Sequence, residues 1–296
     1  VLLVPKYSEI KSRRTTDLTS ELSNNLTFDL PVISSPMDTI TESEMASQMA
    51  IYGGLGIIHR YNTISEQAEL IRKSKGTVGA AIGVSGDFEE RACALWEAGT
   101  NILCVDVAHG HHVLMKNALI RLREIFGSDI HIMAGNVATL EGFNDLSRWG
   151  ANSIRVGIGG GSICSTRLVS GHGVPTFQSI LECSRTEHDA KIIADGGIRT
   201  TGDIVKAFAA GADFVMVGSM LAGTKETPGE VFTGKGGKQY KVYRGMASSS
   251  AQKDWRGNSS TPEGVSTTVP YKGSINMLLD DLRGGVCSGL SYSGAN

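Results

Sequence analysis

Eight times along the chain, a short apolar and largely β-branched run is followed by a longer stretch whose apolar residues recur at helical spacing. The pattern predicts strands at Pro31 to Ser35, Gly54 to His59, Val78 to Val84, Ile102 to Val107, His131 to Asn136, Ser153 to Gly157, Lys191 to Asp195 and Phe214 to Gly218. Helices fall between them, among others at Glu42 to Tyr52, Ile64 to Ser74, Phe88 to Ala98, Leu114 to Phe126 and Thr201 to Ala210. Several end in a glycine beside a small residue, as at Ala98-Gly99 and Ala210-Gly211-Ala212, which turns the chain into the next strand. Strict alternation implies a parallel sheet. Eight unbroken units, with no Gly-x-Gly-x-x-Gly opening the first, point to a closed (β/α)8 TIM barrel rather than an open doubly wound sheet. With 296 residues, 41% of them apolar, the chain can fill such a core, and we expect one barrel domain over residues 1–296.

Composition narrows the function. A formal charge of −2 supplies no basic field for nucleic acid, and no apolar run approaches the ~20 residues of a membrane span. Five scattered cysteines without a CxxC pair indicate reduced thiols in a cytoplasmic setting, not a disulfide frame or a zinc site. Val1 to Pro5 has no feature of a secretory signal.

Barrel chemistry sits on the loops that follow the C-terminal ends of the strands, and the unusual residues collect there. Strand one ends in Ser34-Ser35-Pro36-Met37-Asp38, strand four in Asp106 ahead of His109-Gly110-His111-His112, and strand five in Gly135-Asn136. Strand seven ends in Asp195-Gly196-Gly197 and strand eight in Gly218-Ser219, a glycine-bearing pair of loops suited to a phosphate. After strand six, Gly157-Ile158-Gly159-Gly160-Gly161-Ser162-Ile163-Cys164-Ser165-Thr166-Arg167 presents a cysteine on a loop. A lone cysteine is usually a small buried hydrophobe; here the glycine nest, two hydroxyls and Arg167 mark Cys164 as a nucleophile. Asp195 is placed to accept hydrogen bonds from a ribose, and Asp106 from a second one. The three histidines lack metal-ligand spacing, and we do not read them as a metal site.

Past the eighth unit, Lys235-Gly236-Gly237-Lys238 predicts a hairpin turn between Val231-Phe232 and Tyr240 to Tyr243. Ala247 to Thr261 is polar without apolar period and reads as a mobile C-terminal flap, the alternative being a solvated loop. Glu263, just beyond it, could meet a purine-like N–H edge or exchange a proton with Thr166. Helical spacing returns from Ser274 to Leu282.

Gly159 to Arg167, Ala194 to Arg199, Val217 to Gly223 and Tyr243-Arg244-Gly245-Met246 resemble the IMP dehydrogenase and GMP reductase family, and the likeness runs from Val1 to Gly294. The resemblance implies that Cys164 attacks C2 of a purine nucleoside monophosphate to give a covalent thioimidate, with Thr166 and Glu263 as polar partners. It implies a 5′-phosphate held by Ser162, Gly196, Gly197, Gly218, Ser219 and Tyr243, and a ribose on Asp195. The base would face Met246, Ala247 and Glu263, with Ser35, Met37 and Gly245 completing the substrate site. Asp106, Asn136 and Gly157 would lie toward a nicotinamide cofactor, and the carbonyls of Gly159, Gly161 and Cys164 would hold potassium. A homotetramer is the implied assembly. Gly160 departs from the proline or serine usual in the family.

Such a dehydrogenase activates water with an Arg-Tyr pair on its flap; between Met246 and Glu263 this chain has no tyrosine, and Trp255-Arg256 is the nearest approach. Nor does Ile64 to Val78 leave room for an inserted regulatory subdomain pair. We therefore expect a GMP reductase using NADPH. The alternatives are an IMP dehydrogenase using NAD+, favoured by Leu168-Val169-Ser170-Gly171 and the first sixty residues, and, more remotely, a regulatory barrel that binds nucleotide without turnover.

Overall fold

The computed structural model describes residues 1–23 and 25–295. An antiparallel hairpin of β1 (Ser20–Ser23) and β2 (Leu26–Phe28) leads into the barrel. There follow β3 (Val32–Ser34), α1 (Ser43–Ile51), β4 (Leu55–Ile58), α2 (Ile64–Lys73), β5 (Val78–Ile82), α3 (Phe88–Glu97), β6 (Ile102–Asp106) and α4 (Val113–Phe126). The second half comprises β7 (His131–Val137), α5 (Leu140–Arg148), β8 (Ser153–Val156), α6 (Thr166–Val169), α7 (Thr176–Cys183), β9 (Lys191–Asp195), α8 (Thr201–Ala209) and β10 (Phe214–Val217). All eight barrel strands pair in parallel, and β10 returns to β3 with Val215 opposite Val32, closing the (β/α)8 TIM barrel. The strands lie within two residues of their expected bounds. Reciprocal capping boxes, Thr63 with Glu66 and Thr200 with Asp203, fix where α2 and α8 begin.

Strand alternation divides the core in two. Leu103, Val105, Val215 and Val217 face the helices, whereas Ile102, Cys104, Phe214 and Met216 fill the lumen. The β1–β2 hairpin, which the sequence pattern does not announce, closes the N-terminal end of that lumen with Leu22 and Phe28, the Phe28 ring meeting Phe214 edge-on at 5.9 Å. On β8 both inward residues are polar. Ser153 and Arg155 are buried, flanked by Ile154 and Val156 facing outward.

Beyond the barrel, β11 (Phe232–Thr233) and β12 (Gln239–Arg244) form the expected hairpin around Lys235–Gly237. Next come α9 (Ser249–Arg256), β13 (Ser266–Pro270) and α10 (Asn276–Ser293). β13 adds an unforeseen third strand to β12, and α10 runs well past Leu282 along α8.

The flap departs from expectation, because most of it is helix. Ser248 caps α9 by accepting from Ala251 N (3.3 Å), and Gly257 closes it at φ 74°. Its buried face is Ala251 and Gln252 together with the capping Ser248, while Trp255 one turn on is exposed and lies against Tyr61. Of the three buried residues only Ala251 is apolar, which is why no period shows in the sequence.

Candidate active site

Backbone pairing assembles the Cys164 loop. Val265 N donates to Ile163 O (2.9 Å), Ser165 N to Glu263 O (2.9 Å) and Glu263 N to Ala247 O (3.1 Å), so 263–265 threads between the Cys164 loop and the start of the flap. This ladder sets Glu263 beside Thr166. Cys164 Sγ donates to Thr166 Oγ1 (3.2 Å), which donates to Glu263 Oε2 (2.7 Å). A continuous path therefore leads from the thiol proton to a carboxylate. Arg167, expected to favour the thiolate, instead donates to the Val174 carbonyl (2.8 Å) and packs along Gly159 and Gly173.

Beneath that loop, three strand ends converge through Arg155, which the sequence reading missed. Its guanidinium bonds Asp106 on one side and Asp195 on the other, with Nη2 2.9 Å from Asp195 Oδ2. Burial opposes its charge, but Asp106 and Asp195 outweigh burial and hold its pKa above the ordinary guanidinium range. Asn136 Nδ2 donates to Asp195 Oδ2 and to Gly157 O, both 2.8 Å. Gly157 has no alternative here: its φ is +146°, and a Cβ would sit 1.9 Å from Asp195 O. The signal was legible in principle, since an arginine midway along a buried strand must find carboxylates.

Gly196 and Gly197 take φ of +87° and +81° directly against the backbone of Gly160 and Gly161. Ser162 Oγ lies 3.5 Å from Tyr243 Oη, and burial raises the pKa of that phenol while Ser162 pulls it down. Gly218 draws strand one in: a Cβ there would stand 3.2 Å from Met37 Sδ and 3.3 Å from Ser35 Oγ. Ser219 follows directly at the end of β10. At Gly160 a Cβ would fall 2.5 Å from Thr176 Oγ1, so Thr176 occupies the space a larger residue would need.

Met246 and Gly245 lie over this face. Asp38 N donates to Met246 Sδ (3.3 Å), and Tyr61 Oη to Met246 O (2.9 Å). Tyr61, on the loop after β4, was also missed; it stacks on Trp255 of α9 at 5.6 Å and 11°. Burial raises its pKa against the pull of Arg60, which keeps it a donor at neutral pH. The histidines stay outside this set: His111 Nε2 pairs with Asp145 Oδ2 (2.7 Å), and His109 and His112 are exposed. Among the described residues no cluster of three His, Cys, Asp or Glu side chains could hold a metal, and no helix is long and apolar enough to cross a membrane.

A closed (β/α)8 barrel that gathers a thiol, a hydroxyl–carboxylate pair and a glycine nest on its C-terminal face has the architecture of a barrel enzyme. Residues 1–296 match the IMP dehydrogenase / GMP reductase domain, and the chain belongs to that family of oxidoreductases. It is 36% identical to inosine-5′-monophosphate dehydrogenase of Nitrosopumilus maritimus, over 100% of this chain and 91% of that protein. It is 32% identical to GMP reductase of Leishmania major, over 100% and 90% respectively. Among solved structures, a cysteine-to-alanine variant of Trypanosoma brucei GMP reductase in complex with guanosine 5′-monophosphate superposes with a TM-score of 0.94 at 30% identity, covering 100% of this chain and 91% of that one.

Proposed function

We propose that this purine nucleotide oxidoreductase acts at C2 of the base through Cys164 and runs as a GMP reductase, converting GMP and NADPH to IMP, ammonia and NADP+. The Cys164–Thr166–Glu263 relay carries the reading. As Cys164 Sγ bonds C2, its proton passes through Thr166 Oγ1 to Glu263; the carboxyl then returns a proton by the same path to the departing amine, leaving a thioimidate. Nicotinamide, when bound, would supply the hydride at C2; the C2–Sγ bond then breaks, freeing IMP and returning Cys164 as its thiolate. The nest of Gly196 and Gly197 with Ser162, Gly218, Ser219 and Tyr243 suits a 5′-phosphate, and Asp195, held through Oδ2 by Arg155 and Asn136, would take the ribose. The base lies against Met246, Ala247 and Glu263, with Ser35, Met37 and Gly245 around it.

Asp106, Asn136 and Gly157 form the edge we assign to the cofactor. Asn136 commits Nδ2 to the protein, which leaves its Oδ1 as an acceptor for a carboxamide. The carbonyls of Gly159, Gly161 and Cys164 are oxygen donors of the kind potassium takes, although Gly161 O already accepts from Cys164 N (3.2 Å). Such an ion would stiffen the loop.

The dehydrogenase is the second reading, favoured by the 36% identity to an IMP dehydrogenase. One measurement separates the two. Loss of nicotinamide absorbance with GMP and NADPH is expected; a gain with IMP and NAD+ instead would assign the dehydrogenase. Nucleotide binding with no change in either mixture would leave a regulatory barrel.

A further inference from the structure

Two lines of contact leave the flap helix and meet at a single residue. Along the first, Trp255 stacks on Tyr61, whose hydroxyl donates to Met246 O (2.9 Å). Along the second, Asp254 Oδ2 accepts from Arg244 Nη1 (2.5 Å), Arg244 Nη2 donates to Asp38 Oδ2 (2.6 Å), and Asp38 N donates to Met246 Sδ (3.3 Å). Neither Trp255 nor Asp254 bonds directly to Met246; each reaches it through a loop that follows the first or second barrel strand. Trp255 is 37% exposed, and the Asp254 side chain is more so. The first turn of α9 is anchored by buried Ala251 and Gln252, whereas the end that carries Asp254 and Trp255 lies open to solvent and is the part free to dock and undock. The Arg244–Asp254 pair ends on an exposed carboxylate and adds direction more than energy, whereas the aromatic stack carries a part-buried hydroxyl bonded to Met246 O.

We propose that Tyr61 is a positioning residue that couples docking of α9 to placement of the Met246 backbone, so that the flap senses the nucleotide base through it. This rests on the assignment of Met246 to the base. A base seated against Met246 steadies its carbonyl, which orients Tyr61 and offers Trp255 a fixed platform; a docked α9 steadies the same carbonyl in return. By linkage the two effects are equal. Tyr61 need not touch the substrate.

The two contacts of Tyr61 can be cut separately. Tyr61→Phe keeps the stack and loses the hydrogen bond; nucleotide KM should rise about three- to tenfold, the worth of one hydrogen bond, with kcat nearly unchanged. Trp255→Ala keeps the hydrogen bond and loses the platform, yet should raise nucleotide KM as well. Combined with Tyr61→Ala it should be no worse than Tyr61→Ala alone. Parental KM in Tyr61→Phe, or effects that multiply independently, would overturn the coupling. Two readouts need no ligand. Tyr61→Ala should shift the Trp255 emission, isolated against a Trp255→Phe control, to the red, and should speed tryptic cleavage after Lys253 and Arg256. Unchanged emission and cleavage would overturn the clasp whatever nucleotide is used. A parent protein that binds no purine nucleotide would overturn the functional reading and leave these two measurements to decide the clasp.

Discussion

The two ends of the barrel lumen are served by one strand and could hardly differ more. At the N-terminal end, Ser153 of β8 bonds His131 Nε2 (2.7 Å), whose Nδ1 meets Ser23 Oγ of the plugging hairpin (3.0 Å). Two residues on, Arg155 is held between Asp106 and Asp195. The first is a neutral network: burial, helped by Arg123, pushes the pKa of His131 down to about 3. The second is fully charged. A neutral network sealed by Leu22 and Phe28 serves stability, because no ligand need reach it. Charges kept at the open end are desolvated at a cost that cohesion alone does not require, and they orient carboxylates toward whatever binds there.

The largest expected effect tests the chemistry at the charged end. Cys164→Ala should lower turnover by on the order of 10⁴-fold or more while leaving the unfolding midpoint and nucleotide affinity near parental, since the ribose contact and all the phosphate contacts but Ser162 lie on other loops. Appreciable turnover in this variant would remove the covalent step. Next comes Arg155→Met, which strands two carboxylates and should cost about 3–5 kcal/mol in denaturant unfolding. Adding Asp106→Asn and Asp195→Asn should restore much of that stability without restoring binding; recovery of both would make the cluster merely structural. Asp195→Ala alone should weaken nucleotide binding by about 1.5–3 kcal/mol, read by titration calorimetry, and an unchanged Kd would take Asp195 out of the site.

The smallest effect belongs to the neutral end and depends on pH. His131 titrates at about 3 when folded and near 6.5 when not. Between those values the unfolded chain binds the extra proton, so stability is complete above about pH 6.5 and declines as pH falls toward 3. The loss at pH 5 should be about 2 kcal/mol, from 1.36 kcal/mol per unit of pH below 6.5. His131→Gln should flatten that slope in urea titrations at pH 7 and pH 5; an undiminished slope would place the acid sensitivity elsewhere.

Some of the site could be read directly from the sequence. Cys164 stood out by its glycine nest, and the pairing of Glu263 with Thr166 was anticipated because both are chemically suited to the same proton. Arg155 is not legible in the same way, because β8 reads as an apolar run and a single charge between Ile154 and Val156 carries no sign of which carboxylates it meets. Tyr61 escaped notice for the opposite reason: a tyrosine was sought within the flap, whereas the one that touches the flap comes from the loop after β4. Along α9 the buried residues include the capping Ser248 and Gln252, whose polar atoms are met by Ala251 N (3.3 Å) and Ser260 N (3.0 Å), a pairing that hydropathy does not register.

By itself the sequence determined the eight strand–helix units, the hairpin turn at Lys235–Gly237 and the placing of Cys164 on the loop after β8, because each is written in residues within a few positions of one another: β-branched runs, capping glycines, a cysteine after a nest. Only the tertiary structure decided which side chains meet. Closing β10 onto β3 curls the sheet so that Asp106, Arg155 and Asp195, from three separate strands, share one point, and it brings Tyr61 beneath Trp255. Local periodicity fixes only whether a residue points into the lumen or toward the helices; its height and its neighbours around the ring follow from the register of all eight strands together.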